Sequence, residues 1–172
     1  VDNIVPPDRL YNQALNSLDS GDLKSAQDRI ADLNSQHPYS EYSRRSLILD
    51  TFINYRQGKY TDAATSGQRF IQLYPSDKDA AYAQYIIGMS YYKQMPHITR
   101  DQSVALKAYN AMSSLVEKYP ESEYVEDAKR KIRITRDQLA GKQMLTGRYY
   151  QERREFLAAI NRFRRVVENY PN

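Results

Sequence analysis

Few side chains in this sequence have types and spacings that could support catalysis or metal binding. The two histidines, His37 and His97, lie in segments expected to connect helices, and no second histidine stands at ligand spacing from either. Asp77 and Asp79 stand at an expected helix start, where negative charge complements the helix dipole. The chain has no cysteine, no glycine-rich phosphate loop and no GxSxG motif. We therefore predict no catalytic residue, no metal ligand and no cofactor.

The clearest chemical signal is a basic and aromatic segment near the end of the chain. Residues 148–171 read RYYQERREFLAAINRFRRVVENYP, with six arginines, three tyrosines and two phenylalanines. Residues 129–165 carry 12 Lys/Arg against 3 Asp/Glu, whereas residues 1–128 carry 13 against 17. Such a segment favours an anionic partner, either an acidic protein domain or lipid headgroups, although a solvated helix face would look the same.

Apolar spacing in this segment predicts a helix with one buried stripe. The stripe follows the i, i+3, i+4, i+7, i+11 pattern and consists of Phe156, Ala159, Ile160, Phe163 and Val167. Arg154, Arg162 and Arg165 are then expected to face outward. Basic and aromatic residues together also typify nucleic-acid binding, but the buried stripe accounts for most of the aromatics, so we expect no nucleic acid.

A repeat decides the architecture. Related segments end at four prolines, Pro38, Pro75, Pro120 and Pro171. An alanine stands twelve residues before each proline, at Ala26, Ala63, Ala108 and Ala159. In the first two segments a glycine also stands seventeen residues before the proline, at Gly21 and Gly58. Glycine permits the turn between helices, and proline ends the second helix. The first two prolines are 37 residues apart, and the following intervals lengthen to 45 and 51 residues. Repetition near this period predicts stacked helical hairpins of irregular length.

The predicted fold is therefore an all-α solenoid forming a single domain of residues 1–172. Its four hairpins are expected at about 7–38, 41–75, 78–120 and 122–171. The apolar spacing places the helices at 8–19, 22–36, 41–57, 61–74, 78–93, 103–118, 122–140 with a continuation to about 153, and 155–169. The expected helix caps are Asp22, Thr61, Ser40 and Ser122. Gly141 and Gly147 are expected weak points or bends in the long seventh helix.

Tyrosine is the overused residue, with 16 copies and no tryptophan. Many tyrosines fall in the first helices of the hairpins, which line the concave, peptide-binding surface of such solenoids. Asp50, Tyr55 and Tyr82 are therefore candidate peptide contacts. The alternative is that the rings fill the core, and we expect about two thirds of them to do so.

Several motifs carry a resemblance to a known family. The repeats resemble tetratricopeptide repeats, and the chain as a whole resembles the BamD (ComL) family of outer-membrane lipoproteins. The carriers are PPDRLYNQALNSLDSGDLKSAQDRIADLNSQHPYSEYS, MPHITRDQ, YPESEYVEDAKRKI and LAGKQMLTGRYYQERREFLAAINRFRRVVENYP. The last of these is the most specific, because it combines RYY, an arginine and AAINRF in order.

The resemblance implies a non-catalytic, periplasmic adaptor of the β-barrel assembly (Bam) complex. Its partners would be the BamA periplasmic domains, other Bam lipoproteins and unfolded outer-membrane β-barrel proteins. In the family a lipidated cysteine, which here would lie upstream of Val1, tethers the protein to the outer membrane, and a fifth repeat usually follows the fourth; we expect this chain to lack both. The signature residues on the BamA-facing side would be Tyr149, Tyr150, Arg153, Asn161 and Arg162.

One departure and two rival interpretations remain. Gln143 stands where the family often has glutamate, so a salt bridge at that position is in doubt. A periplasmic tetratricopeptide protein of the kind that coordinates cell division with the Tol system would share the YP-x-S-x-Y joints, but its repeats would be regular. A helical repeat that binds nucleic acid is the third interpretation, and it predicts binding that depends steeply on salt.

Overall fold

A computed structural model describes residues 3–95, 102–153 and 155–171, and eight α-helices lie within these ranges. They are α1 (Pro7–Asp19), α2 (Leu23–Gln36), α3 (Ser43–Arg56), α4 (Tyr60–Leu73), α5 (Ala80–Lys93), α6 (Ser103–Lys118), α7 (Val125–Glu152) and α8 (Phe156–Asn169). The described residues contain no strand. The predicted all-α fold of the tetratricopeptide type is therefore confirmed, with helix boundaries within about three residues of those expected.

The chain divides into two compact units, Val1–Ile87 and Gly88–Asn172. In the first unit α1 packs on α2, α2 on α3 and α3 on α4. In the second unit α6 packs on α7, and α7 packs on α8. These pairs are consecutive along the chain, and such packing of neighbouring helices is typical of a helical solenoid. The division into four hairpins of a single domain stays a prediction.

Two glycines form the turns inside the first two hairpins. Gly21 and Gly58 have φ values of 81° and 75°, the left-handed region that favours glycine. The amide that follows each glycine donates to the carbonyl five residues back, at 2.8 and 2.9 Å, which is the Schellman arrangement that ends a helix. The turns predicted at these glycines are confirmed.

The predicted caps have mixed outcomes. Asp22 caps α2 as expected, because its carboxylate accepts the amide of Ser25 at 3.0 Å. The prediction for Thr61 is wrong, since α4 already begins at Tyr60 and its N-cap residue makes no side-chain hydrogen bond. Ser40 and Ser122 also do not cap their helices.

The joints after the prolines explain what these serines do. The residue before each repeat proline ends its helix with φ between −129° and −136° and ψ between 58° and 63°, as expected where the proline ring excludes helical geometry. The side chain two residues after the proline then accepts an amide two residues further on; the acceptors are Ser40, Asp77 and Ser122, at 3.2, 2.9 and 3.1 Å. These bonds fix the turn that precedes the next helix.

Small residues let the helices approach closely. The four repeat alanines are at most 4% exposed. A Cβ added to Gly67 would lie 2.8 Å from Ile87 Cγ1, and one added to Gly88 would lie 2.7 Å from Met112 Sδ. The tyrosines are less buried than expected: none of the 16 is fully buried, and Tyr39 and Tyr149 are exposed. The other rings are partly buried, so they lie at the margins of the core.

Candidate partner-binding interface

The α7–α8 hairpin carries most of the signature residues and the basic segment. α7 is 28 residues long and is unbroken through Gly141 and Gly147, so the bends expected at these glycines do not interrupt it. Gly147 instead lies against Phe163 of α8, where an added Cβ would be 2.7 Å from Cδ1 of the ring. Glycine at this position therefore permits the close approach of the two helices.

Three signature residues contact one another at the end of α7. The Arg153 guanidinium lies 5.3 Å from the centre of the Tyr149 ring, and its Nη1 donates to the Tyr149 hydroxyl at 3.0 Å. The Tyr149 and Tyr150 rings meet edge to face with centroids 5.6 Å apart. Tyr149 and Arg153 are exposed. The cluster thus presents a guanidinium held over an aromatic ring, which can accept an anionic or polar partner group.

Arg162 is held by a different residue of α7. Its Nη1 donates to the Gln143 side-chain oxygen at 3.0 Å. Position 143 therefore makes no salt bridge with Arg162, and a hydrogen bond to the neutral Gln143 amide takes its place. Arg162 is partly buried, so the prediction that it faces outward is wrong, whereas Arg165 and Asn161 are exposed as expected of a partner surface. Arg154 lies outside the described residues.

The expected buried stripe of α8 is largely open. Phe156, Ile160 and Val167 are 59%, 49% and 74% exposed, and only Ala159 is fully buried. The physical reason is that, among the described residues, α7 is the only helix with extensive packing on α8. It covers the side of α8 that carries Ala159 and Phe163. An apolar row beside exposed arginines is typical of a protein-binding surface.

The candidate peptide contacts lie in the first unit, where Asp50 and Tyr55 have partners. Asp50 accepts a hydrogen bond from the Ser66 hydroxyl of α4 at 2.9 Å and one from Asn54 at 3.4 Å. Tyr55 is partly buried, and its ring centre is 5.7 Å from that of Tyr60. Tyr82 is partly buried in α5. The structure does not bring the three side chains into one cluster by any of these contacts, and their role stays a prediction.

Asp50 belongs to a polar network between helices. Asn54, only 4% exposed, accepts from Gln27 of α2 at 3.2 Å, and Lys59 donates to Gln27 at 3.4 Å. Burial raises the pKa of the Asp50 carboxyl above its ordinary value; the nearby Asp62 adds to the rise, while the Ser66 hydrogen bond opposes it.

Sequence reasoning missed a second polar link in the first unit. Arg44 Nη1 forms ion pairs with Asp77 at 3.1 Å and Asp79 at 2.9 Å, joining α3 to the turn before α5. The two aspartates were expected only to complement the dipole of the next helix, and no spacing rule connects residues 33 and 35 positions apart. Tertiary packing alone brings these charges together.

Metal-binding chemistry finds no support in the ranges that the structure describes. They contain no group of three histidine, cysteine or acidic side chains suited to a metal ion. The ring of His37 contacts the carbonyl of Val5 at 2.6 Å, and His97 lies outside the described residues. No helix of the described ranges is long and apolar enough to cross a membrane.

Fold and surface together define an all-α helical-repeat protein of the tetratricopeptide type. The sequence profile of the YfiO family, described as outer membrane lipoprotein, matches residues 4–172. The chain belongs to this YfiO/BamD family, as its motifs indicated.

Three relatives, each named outer membrane protein assembly factor BamD, align with nearly the whole chain. The Caulobacter vibrioides protein is 39% identical over 96% of this chain and 54% of its own length. The Rickettsia prowazekii protein is 32% identical over 98% of this chain and 67% of its own length. The Xylella fastidiosa protein is 29% identical over 99% of this chain and 62% of its own length. The chain therefore spans about half to two thirds of the length of these relatives.

Proposed function

We propose that this chain is a non-catalytic adaptor in the assembly of outer-membrane β-barrel proteins. It acts at the periplasmic face of the outer membrane, tethered by an N-terminal lipid. Its partners are the BamA periplasmic domains, other Bam lipoproteins and unfolded barrel proteins. The observation that carries the proposal is the match of almost the entire chain to relatives named as outer membrane protein assembly factors. The alternative function is that of a Tol-associated scaffold, and none of the three relatives carries such a name.

The α7–α8 hairpin is the surface proposed to bind BamA. Its exposed Tyr149, Arg153 and Asn161 lie on the same hairpin as Arg162 and the open apolar row of α8. Protein interfaces commonly combine an aromatic and apolar centre with arginine anchors. The basic excess of residues 129–165 would suit an acidic patch on the partner.

The test is copurification with the BamA periplasmic domains. Reversing charge in the pair Arg153→Glu and Arg162→Glu should lower recovery of the complex by about ten-fold or more, because hot-spot arginines each contribute about 2 kcal/mol. Far-UV circular dichroism should show unchanged helicity. The matched control reverses two exposed arginines of the same helices, Arg133→Glu and Arg164→Glu, which should reduce recovery far less.

A further variant separates contact from positioning. Gln143→Leu removes the hydrogen bond that holds Arg162 but keeps the arginine charge. Binding that survives in this variant and fails in the charge-reversed pair assigns the loss to direct contact. If the charge-reversed pair binds as well as the parent, the assignment of this surface is wrong.

A further inference from the structure

The segment before α1 is fixed to the end of α2. The Val5 amide donates to the Gln36 side-chain oxygen at 3.0 Å, and the His37 ring nitrogen Nε2 lies 2.6 Å from the Val5 carbonyl. Because a carbonyl oxygen only accepts, Nε2 is the nitrogen of this ring that carries the proton. Pro6 and Pro7 follow directly and restrict the backbone between Val5 and α1. We call the two contacts of Val5 the clip.

Two large apolar side chains beside the clip are turned to solvent. Ile4, which precedes Val5, is 68% exposed, and Tyr39, two residues after His37, is 98% exposed. The Ser40 amide donates to the His37 carbonyl at 3.2 Å, so the turn that carries Tyr39 is closed. Single exposed apolar side chains are ordinary on protein surfaces. These two differ because they belong to separate segments that the clip holds together at one end of the first hairpin.

The charges around this pair of side chains are balanced. Asp8 and Arg9 lie in the first turn of α1, and Glu41 and Arg45 lie at and just after the turn that carries the tyrosine; all four are exposed. Arg44, in the same segment, is already paired with two aspartates. A strongly charged partner therefore gains little attraction at this end of the hairpin. Tyrosine and isoleucine instead suit the boundary between water and hydrocarbon, where the ring enters the apolar side and the hydroxyl stays hydrated.

The proposed function brings this end of the hairpin to a membrane. A lipid tether upstream of Val1 would reach the folded chain through the segment that the clip holds. Resting on that tether, we propose that Ile4 and Tyr39 form a second contact with the lipid bilayer, within its headgroup region, and that the clip keeps them in place. A tether alone leaves a protein free to rotate, whereas a tether and a second contact together fix the orientation of the first hairpin on the membrane.

The sequence has no tryptophan and no cysteine, so one probe and one coupling site can be added without background. A cysteine placed before Val1 is coupled to a maleimide lipid in phosphatidylcholine vesicles that contain brominated phosphatidylcholine, which quenches tryptophan fluorescence. Tyr39→Trp then reports on the pair. Ser20→Trp, exposed after the end of α1 and about 20 Å along that helix from its start, is the control. Quenching of Tyr39→Trp should exceed that of Ser20→Trp by about two-fold or more, because interfacial side chains lie about 5–10 Å deep.

Two substitutions separate contact from mere nearness to the tether. In the Tyr39→Trp background, Ile4→Ser should lower the quenching by about half, because one of the two apolar side chains is lost. Asn3→Ser changes the exposed neighbouring residue and should leave the quenching unchanged. The double variant Gln36→Ala, His37→Ala removes the side chains of the clip and should also lower the quenching, with unchanged helicity in far-UV circular dichroism.

Each remaining outcome overturns the proposal. Equal quenching of Tyr39→Trp and Ser20→Trp shows that the pair does not enter the bilayer, and equal effects of Ile4→Ser and Asn3→Ser assign the signal to the tether alone. Quenching that requires phosphatidylglycerol and disappears in high salt assigns the contact to the basic segment of residues 129–165. Protection from quenching by added BamA periplasmic domains identifies a protein as the occupant.

Failure of the proposed function is distinguishable from failure of this contact. Copurification with the BamA periplasmic domains needs no vesicle, and the coupled cysteine replaces the natural tether. The contact can therefore fail while the adaptor function stands, and the adaptor function can fail while the quenching pattern is as expected.

Discussion

Gly147→Ala tests whether α7 and α8 pack as closely as the structure shows. Gly147 is buried in α7 and faces the Phe163 ring of α8. A Cβ at this position would lie 2.7 Å from Cδ1 and 2.9 Å from Cζ of that ring, and still closer to Cε1, whereas ordinary contact begins at 3.4 Å. The ring must therefore move, or the two helices must separate.

The sign of the effect follows from two opposing contributions. Helix propensity favours alanine over glycine by about 1 kcal/mol. Relieving the overlap requires a shift of at least about 0.7 Å in a packed ring (3.4 Å less the 2.7 Å to Cδ1), and overpacking of this kind costs about 1–3 kcal/mol. Since Phe163 is only partly buried and can yield toward solvent, we expect a net loss of about 1 kcal/mol in the free energy of unfolding.

Equilibrium urea unfolding followed by far-UV circular dichroism measures the net change. Hydrogen exchange should show where the change is local. Relative to the parent, amide exchange in Gly147→Ala should speed up in α8 and in the second half of α7 more than in α3 and α4. The companion variant Phe163→Leu shortens the ring. Gly147→Ala should cost less in the Phe163→Leu background than in the parent, which makes the two substitutions non-additive.

A stabilisation of about 1 kcal/mol by Gly147→Ala would refute this reasoning, because helix propensity alone would then account for the result. Additive behaviour of the two substitutions would refute it as well. In either case the two helices would pack less closely in solution, and the positions of Arg162 and Gln143 would lose their structural basis.

Two further predictions concern charges in the first unit. Asp50→Asn should raise the free energy of unfolding at pH 7, because burial raises the pKa of the native carboxyl and so penalises its charged form. The gain in stability should shrink as the pH falls through the raised pKa of the native carboxyl. It should vanish below the ordinary pKa of 3.8, where the carboxyl is neutral in both the folded and the unfolded chain. A gain that persists in acid would contradict this. Arg44→Gln should lower the free energy of unfolding by about 1–2 kcal/mol, since it leaves Asp77 and Asp79 unpaired. The loss should be smaller in 1 M salt (a concentration at which the Debye length is about 3 Å), and identical urea midpoints at low salt would show that the ion pairs contribute nothing.

Local chemistry explains why so much of the fold was predictable. Glycine at φ near 80° and proline after each second helix act on neighbouring residues, so their effects can be read without knowing the tertiary structure. The repeat alanines were also predictable, because close helix packing needs a small residue at the same place in every hairpin. These glycines, prolines and alanines recur at the same offsets in several hairpins, so each copy supports the prediction made from the others.

Burial in α8 was not predictable from its spacing. Periodicity identifies which side chains share a face, but it does not state whether a neighbour covers that face. Phe156, Ile160 and Val167 satisfy the helical pattern and are nevertheless exposed. The polar contacts were hidden for a related reason: Arg44 with its aspartates, and Arg162 with Gln143, join residues 19 or more positions apart. Only the packing of helices brings such pairs together.

The partners of the arginines provide a physical criterion for their roles. Arg44 is neutralised by two carboxylates and so links two helices. Arg162 is held by a neutral amide oxygen, and Arg153 by a tyrosine ring and hydroxyl. These contacts orient a guanidinium without cancelling its charge, so the full positive charge stays available to another molecule. A glutamate at position 143 would orient Arg162 equally well but would remove that net charge. Gln143→Glu should therefore keep the hairpin intact and weaken binding to an acidic partner.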